Sequence, residues 1–392
     1  VTPLRVVIVT RRFWPSVGGP QKLLANLAVE LSDRGCDTTI LTAQLHPNWP
    51  SAIRIHNVPV VRLRCTAEQG WGNLRYVGRL AHWLRVHQHH YDLVYVSQLK
   101  HEACAAVRAV GRQMPVVLRA ERAGLSGDCQ WQREACCGRQ MITECGRATA
   151  LIAPSADIEK EVLAAGYTKT IVRCIPNGVP ESPPRTSALQ RAARATLADS
   201  NPELELPEVA SLTVYTGRLE PNCGLETLID AWTPITQHWP NARLWLVGEG
   251  SLRPALQQRI DEANLRHRAV LVGMFDQVDG VLAAADLVVR PGPEAGTAMA
   301  ILEALAAGVP TIASDIPGHR TWITDGHDGL LVPPHDASAW AAAIRRMLDD
   351  PTFSTQLGGT ARRKVANFSL ANMADAHQSL FESLLVSREK AF

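Results

Sequence analysis

Two hydrophobic rhythms alternate along this chain: short runs rich in Val, Ile and Leu, and longer stretches in which apolar residues return every three or four positions. The first rhythm marks buried strands of a parallel sheet and the second marks amphipathic helices. "LRVVIVT" (4–10) is strand-like. After a Gly-Gly loop, "QKLLANLAVELSDRG" (21–35) places Leu23, Leu24, Leu27, Ala28 and Leu31 on one helical face before Gly35 stops it, and "CDTTILTA" (36–43) is strand-like again. Strand, glycine loop, helix and strand in that order form a βαβ unit. The pattern continues through "YDLVYVS" (91–97), "PVVLRA" (115–120) and "ATALIAPS" (148–155).

The rhythm breaks after "CIPNGVPESPPRT". Asn177-Gly178 is a turn signal, Pro180, Pro183 and Pro184 interrupt structure, and the polar stretch to about residue 208 reads as a connector with one short helix. A second series of strands follows: "SLTVYTGRL" (211–219), "ARLWLVGEG" (242–250), "RAVLVGMF" (268–275), "ADLVVRP" (285–291) and "PTIASD" (310–315). Helices such as "GLETLIDAWTPI" and "AILEALAAG" separate them, and "LANMADAHQSLFESLLVSREKAF" closes the chain with a helical period. The expected fold class is α/β, with two doubly wound parallel-sheet (Rossmann-like) domains facing across a cleft. Their expected bounds are 1–182 and 183–370, with a terminal helix, 371–392, packing back on the first domain. Ligands of open parallel sheets bind outside the carboxyl ends of the strands, so the loops there are the candidate site.

Composition narrows the class of protein. With 392 residues, 46% apolar and 20% charged, the chain is neither disordered nor fibrous. Nine cysteines, an odd number with no CxxC pair, suggest a reducing, cytoplasmic setting. No secretory signal pattern and no uninterrupted apolar stretch of membrane-spanning length is seen, so neither export nor a transmembrane span is expected. Charge is uneven: residues 1–180 hold 22 Lys and Arg against 13 Asp and Glu, whereas residues 181–392 hold 18 against 25. Part of the excess lies on the helix "NLRYVGRLAHWLRVHQHH" (73–90). There Arg75, Arg79, His82, Arg85 and His89 share a face, and Val77, Leu80, Ala81 and Leu84 lie opposite. That face suits solvent or peripheral contact with an anionic membrane.

Four strand-end loops carry the chemistry. "SVGGPQ" supplies Gly18 and Gly19, where bare backbone can approach a phosphate at a helix N-terminus. "TGRLEPNCG" supplies Arg218, whose guanidinium can grip two phosphate oxygens, and "VGEGS" supplies Gly248 and Gly250. In "RPGPEAGTAMAILEALAAG", Gly296, Thr297 and Ala298 open a helix whose amides would face an anion, and Glu303 lies within that helix among apolar neighbours. His87, His89 and His90 lack companions at metal-ligand spacing, and no nucleophile elbow is present.

Taken together, the Gly-Gly loop, "PNGV", "GRLEPNCGLETLIDAW", "LVGEGSLRPALQQ", "PEAGTAMAILEALAAGVPTIASDIPG" and "DGHDGLLVPPHDASAWAAAI" resemble glycosyltransferase family four, the retaining, nucleotide-sugar-dependent group 1 transferases with the GT-B fold. The resemblance covers nearly the whole chain and is densest between residues 215 and 350. It implies a nucleotide-diphosphate sugar as co-substrate, no metal and no cofactor. The diphosphate would be held by an arginine, a lysine, the Gly-Gly loop and helix amides; one glutamate would bind the ribose, and another, eight residues earlier, would contact the sugar. The arginine maps to Arg218 and the ribose glutamate to Glu303. Three positions depart from the pattern. Cys223 replaces the lysine, Ala295 stands at the sugar position with Glu294 one residue early, and Glu121 stands where a histidine often follows "PVVL". Arg11, Arg12 and Lys22 are cations that compensation would draw on. The implied partners are the nucleotide sugar and a glycan, lipid-linked or small-molecule acceptor held mainly by the first domain, where Glu121 is the acceptor-side candidate; no nucleic acid is expected. Two other readings stay open, a non-catalytic binding module and a nucleotide-sugar epimerase.

Overall fold

The computed structural model describes residues 3–16, 18–66, 70–124, 127–275, 277–292 and 299–389. The chain divides into two compact units, Val1–Gly178 together with Leu370–Phe392, and Val179–Ser369.

The first unit is built on an eight-stranded sheet: β1 (Arg5–Val9), β2 (Asp37–Gln44), β3 (Ala52–Ile55), β4 (Val58–Arg64), β5 (Leu93–Ser97), β6 (Val116–Arg119), β7 (Ala150–Ala153) and β8 (Val172–Cys174). Their spatial order is β3-β4-β2-β1-β5-β6-β7-β8. All pairs are parallel except β3 with β4. Val6 to Val9 are fully buried, as continuous β-branched runs must be when helices cover both faces. The helix Gly19–Asp33 buries its predicted stripe. It ends where Gly35 turns left-handed at φ 86°, so that the Cys36 N–H can bond back to the Leu31 carbonyl at 3.0 Å.

Four strands were not legible in the sequence. β3 and β4 form an edge hairpin in which Pro59, Arg62 and Arg64 interrupt the apolar pattern. Arg62 is nevertheless buried, because its guanidinium donates to the carbonyls of Pro50 and Trp14 at 2.8 Å each. β8 and, in the second unit, β14 are only three residues long.

The terminal helix, Leu370–Glu389, belongs to the first unit. Phe381 and His377 are fully buried, the Tyr95 hydroxyl on β5 meets His377 Nε2 at 3.4 Å, and Arg34 bonds Asp375 and the Ala371 carbonyl at 3.1 Å.

The second unit has six parallel strands: β9 (Ser211–Thr216), β10 (Ala242–Val247), β11 (Ala269–Gly273), β12 (Leu287–Arg290), β13 (Thr311–Ser314) and β14 (Leu330–Val332), in the order β11-β10-β9-β12-β13-β14. Trp232, Trp245 and Trp340 fill its core. The connector helix, Ser187–Ser200, is tied to this sheet by Arg194, which bonds Asp286 at 2.6 Å while Asp286 also accepts the Leu212 N–H at 2.7 Å.

Strand order reverses direction at one place in each sheet, between β1 and β5 and between β9 and β12. At such a switch point the connections leave toward opposite faces and open a crevice at the strands' carboxyl ends, where an open α/β sheet binds its ligand.

Candidate functional site

In the second unit two arginines, Arg218 and Arg290, stand at the ends of the strands on either side of the switch point. Arg218 lies just past β9 and is exposed; its own carbonyl accepts the Tyr215 hydroxyl at 2.8 Å, which fixes the loop. Arg290 ends β12. It donates to the Thr216 carbonyl at 2.6 Å and lies over the Tyr215 ring, 5.3 Å from its centroid. Tyr215 is buried, and that burial pushes its phenol up, so it stays neutral beneath the Arg290 guanidinium. Neither arginine forms a salt bridge with a described carboxylate, although Glu220, which takes the Ser251 hydroxyl at 2.6 Å, is close enough for Arg218 to favour its ionised form.

Glycines let these loops close up. A side chain at Gly248 would put its Cβ 1.7 Å from the Gly217 carbonyl oxygen, and one at Gly250 would stand 2.2 Å from that of Leu219. The loops after β9 and β10 therefore continue the sheet ladder, with Gly217 N–H to the Val247 carbonyl at 2.9 Å and Leu219 N–H to that of Glu249 at 3.0 Å. Cys223 is half-buried against the second core, its thiol turned to the Tyr215 hydroxyl. Glu303 lies half-buried on the helix Met299–Ala306 that follows β12. Glu294, Ala295, Gly296, Thr297 and Ala298 lie outside the described residues.

At the first unit's switch point, Gly18 and Gly19 stand where β1 gives way to the helix Gly19–Asp33, Gly18 as its N-cap. Arg11 is committed locally: it pairs with Glu102, bonds Asn73 and lies over the Tyr76 ring at 5.1 Å, so it is not a spare cation. Glu121 is 2% exposed. It forms an ion pair with the buried Arg119 at 3.1 Å and accepts the Ser97 hydroxyl at 2.9 Å, while Arg119 also bonds Asn177. Burial raises its pKa more than Arg119 lowers it. So enclosed, Glu121 is held at the end of β6 by Arg119 and Ser97.

The sequence reading did not single out Arg290, which the structure places at the end of β12. The available signal was a basic residue directly after an apolar strand, but Arg119 gives the same signal and turns inward. Among the described residues, no three His, Cys, Asp or Glu side chains come together to hold a metal ion. Among the described residues no helix is long and apolar enough to cross a membrane.

Comparison with known proteins bears on this geometry. Residues 18–178 match the glycosyl transferase 4-like domain, and residues 210–350 match the glycosyl transferases group 1 model. The chain belongs to the group 1 glycosyltransferases. This glycosyltransferase is 26% identical to the D-inositol 3-phosphate glycosyltransferase of Kineococcus radiotolerans over 95% of its own length and 92% of that protein's. Two solved structures share its GT-B fold. Sucrose-phosphate synthase from Thermosynechococcus elongatus superposes with a TM-score of 0.80 at 23% identity, covering 98% of this chain and 100% of that one. Anabaena HepE in complex with UDP-glucose superposes with a TM-score of 0.75 at 19% identity, covering 97% and 100%.

Proposed function

We propose that this glycosyltransferase takes a nucleoside-diphosphate hexose as donor, binds it at the second unit's switch point, and transfers the sugar with retention of configuration to an acceptor hydroxyl held mainly by the first unit. The observation that carries the reading is Arg290 over Tyr215 with Arg218 exposed just past β9, neither paired with a described carboxylate, at the place where an α/β sheet binds its ligand. The UDP-glucose complex of the fold relative HepE supports the same donor class.

In this reading Arg290 takes the part the family gives to a lysine at position 223. A lysine grown from Cys223 would have to leave the core packing and the Tyr215 hydroxyl, whereas Arg290 already reaches the Tyr215 ring from the neighbouring strand. Charge builds on the diphosphate as the glycosidic bond breaks, and Arg290, held on the Thr216 carbonyl, together with Arg218 stabilises it there. That role needs no divalent cation, so chelation with EDTA should leave turnover unchanged. Glu303 binds the ribose hydroxyls. The acceptor is a glycan or lipid-linked hydroxyl, and the basic helix of the first unit rests on the anionic surface that would present the lipid-linked kind.

Calorimetric titration of the full chain with UDP, GDP and ADP tests this. Arg218→Ala and Arg290→Gln should each weaken the preferred diphosphate at least about tenfold, the value of one charge-assisted hydrogen bond, with melting unchanged in the first and somewhat lowered in the second, which loses its bond to the Thr216 carbonyl. Wild-type affinity in both variants would move the donor elsewhere. Glu303→Ala should weaken the diphosphate more than its 2′,3′-dideoxy analogue, and NMR of the product's anomeric proton reports retention.

A further inference from the structure

Two of the free thiols meet. Cys104, on the helix His101–Val110 that follows β5, and Cys145, the last residue of the helix Gly138–Cys145, bring their sulfurs to 3.5 Å although 41 positions separate them in the chain. Cys145 is fully buried and Cys104 half-buried. The Cys104 thiol also reaches the Met141 carbonyl, 3.8 Å away and one turn before Cys145. The hydrogen bond shared with Cys145 lowers the Cys104 pKa more than burial raises it; Arg108, one turn along the same helix, pushes the same way, while Glu144 and Glu102 oppose. The same contact, followed by burial, raises the Cys145 thiol. Arg108 is kept beside the pair by Glu144, its ion-pair partner at 3.3 Å. Cys129 shows what burial does without such help, since burial, with Asp128 adding to it, pushes that thiol up to about 12.

A cysteine reacts as its thiolate, where that form is stabilised and a reagent can reach it. Cys104 meets both conditions, and Cys145 holds a second sulfur against it. A disulfide bond of about 2 Å requires the two sulfurs to close by about 1.5 Å, a distance that side-chain rotation between two packed helices covers. We propose that Cys104 and Cys145 form a redox modification site whose oxidant is a small hydroperoxide. With hydrogen peroxide, the Cys104 sulfur attacks one oxygen and the O–O bond breaks; Cys104 becomes a sulfenic acid, and the departing hydroxide takes up the thiol proton and leaves as water. The Cys145 sulfur then attacks the Cys104 sulfur, the S–O bond breaks, and the Cys145 proton leaves with that hydroxyl as a second water. The two thiols lose two electrons and one peroxide becomes two waters. The closed bond ties the helix after β5 to the helix before β7. No step involves the sugar donor, so the site stands or falls apart from the proposed function.

Peptide mapping of the full chain, reduced, exposed to hydrogen peroxide and then blocked at its remaining thiols, reads the site. The peptides carrying Cys104 and Cys145 should appear linked, two hydrogens lighter than their sum, and dithiothreitol should separate them. Cys145→Ala should leave Cys104 as a sulfenic acid that dimedone traps, Cys104→Ser should abolish the link, and replacing the exposed Cys136 and Cys137 by Ser should preserve it. The pH midpoint for alkylation of Cys104 should lie below the value of about 8.5 of a free thiol and should rise in Cys145→Ala. A bond spanning 41 positions constrains the unfolded chain, so the oxidised wild type should melt above the reduced protein, and peroxide-treated Cys104→Ser should not. Absence of the linked peptide at a peroxide excess that fully oxidises Cys136 and Cys137, or a link from Cys104 to either of those thiols, would overturn the site. So would an alkylation midpoint left unchanged by Cys145→Ala in a variant with the circular dichroism of the wild type.

Discussion

A methyl group at Gly248 has nowhere to go: the Gly217 carbonyl oxygen would be 1.7 Å away, and the φ of 150° is one that side chains rarely adopt. The glycine was legible in the sequence as a strand-end loop residue, but its reason was not, because the partner that crowds it arrives from a strand thirty residues earlier. Gly248→Ala should cost at least about 2 kcal/mol in urea unfolding through backbone strain and displacement of the β9 loop. The buried histidines are another effect set by distant residues. His377 is held down to about 3, first by burial and then by Arg119, and His319 to about 4 by burial and then Arg290, with its Nδ1 on the Ser314 carbonyl at 2.9 Å. Both folded values lie below the unfolded value near 6.5, so the unfolded chain binds more protons once pH drops below it. Their stabilisation is whole above pH 6.5 and is lost as pH falls toward 4 and 3. His377→Gln should therefore reduce the slope of unfolding free energy between pH 6 and 4 by about 1.4 kcal/mol per pH unit, whatever it does to stability at pH 7.

At the level of elements, the helix expected at 73–90 runs as Gly70–His87 followed by a short 3-10 turn at Gln88–His90, and it hides less than its pattern promised. Tyr76, Leu80 and Leu84 are buried, but Trp71, Leu74 and Val86 are 80%, 58% and 55% exposed, on the same side as Arg75, Arg79 and Arg85. The helix carries no acidic residue. Apolar side chains set among arginines suit a headgroup boundary, where each arginine contributes about 1 kcal/mol of attraction to anionic lipid. Flotation with phosphatidylglycerol vesicles should recover the wild-type chain, and replacing Arg75, Arg79 and Arg85 by Gln should release it, as should high salt; phosphatidylcholine vesicles should not bind. Equal binding of the triple variant would return the helix to ordinary solvated surface. The central strands were legible because burial on both faces leaves no room for polar residues. β4 was not, because a strand one place from the edge can admit Arg62 so long as neighbouring carbonyls take its hydrogen bonds.

For the molecule as a whole, the sequence pattern carries two sheets and their order of strands and helices, and the terminal helix is expected from it to pack back on the first domain. An amphipathic period in residues 370–392 says that one face must be covered. What covers it is the first sheet's own far side of the chain: Tyr95 on β5, Arg34 after the first helix, and the space that Phe381 and His377 fill. The first unit is thus closed by residues separated from it by the entire second unit, whose core of Trp232, Trp245 and Trp340 draws nothing from the terminal helix. Removing residues 370–392 should expose Tyr95 and take from Arg34 two of its acceptors, Asp375 and the Ala371 carbonyl, while the core of the second sheet is left as it was. Hydrogen exchange followed by mass spectrometry should then show the amides of β1 and β5 losing at least about a hundredfold in protection, equivalent to roughly 3 kcal/mol, since a fully buried phenylalanine and its cavity account for that much. Amides of β9 and β10 should exchange as in the full chain, and nucleoside diphosphate should still protect the loops after them. Uniform loss of protection across both sheets would mean that the two units share one cooperative transition, and that the terminal helix stabilises the second as much as the first.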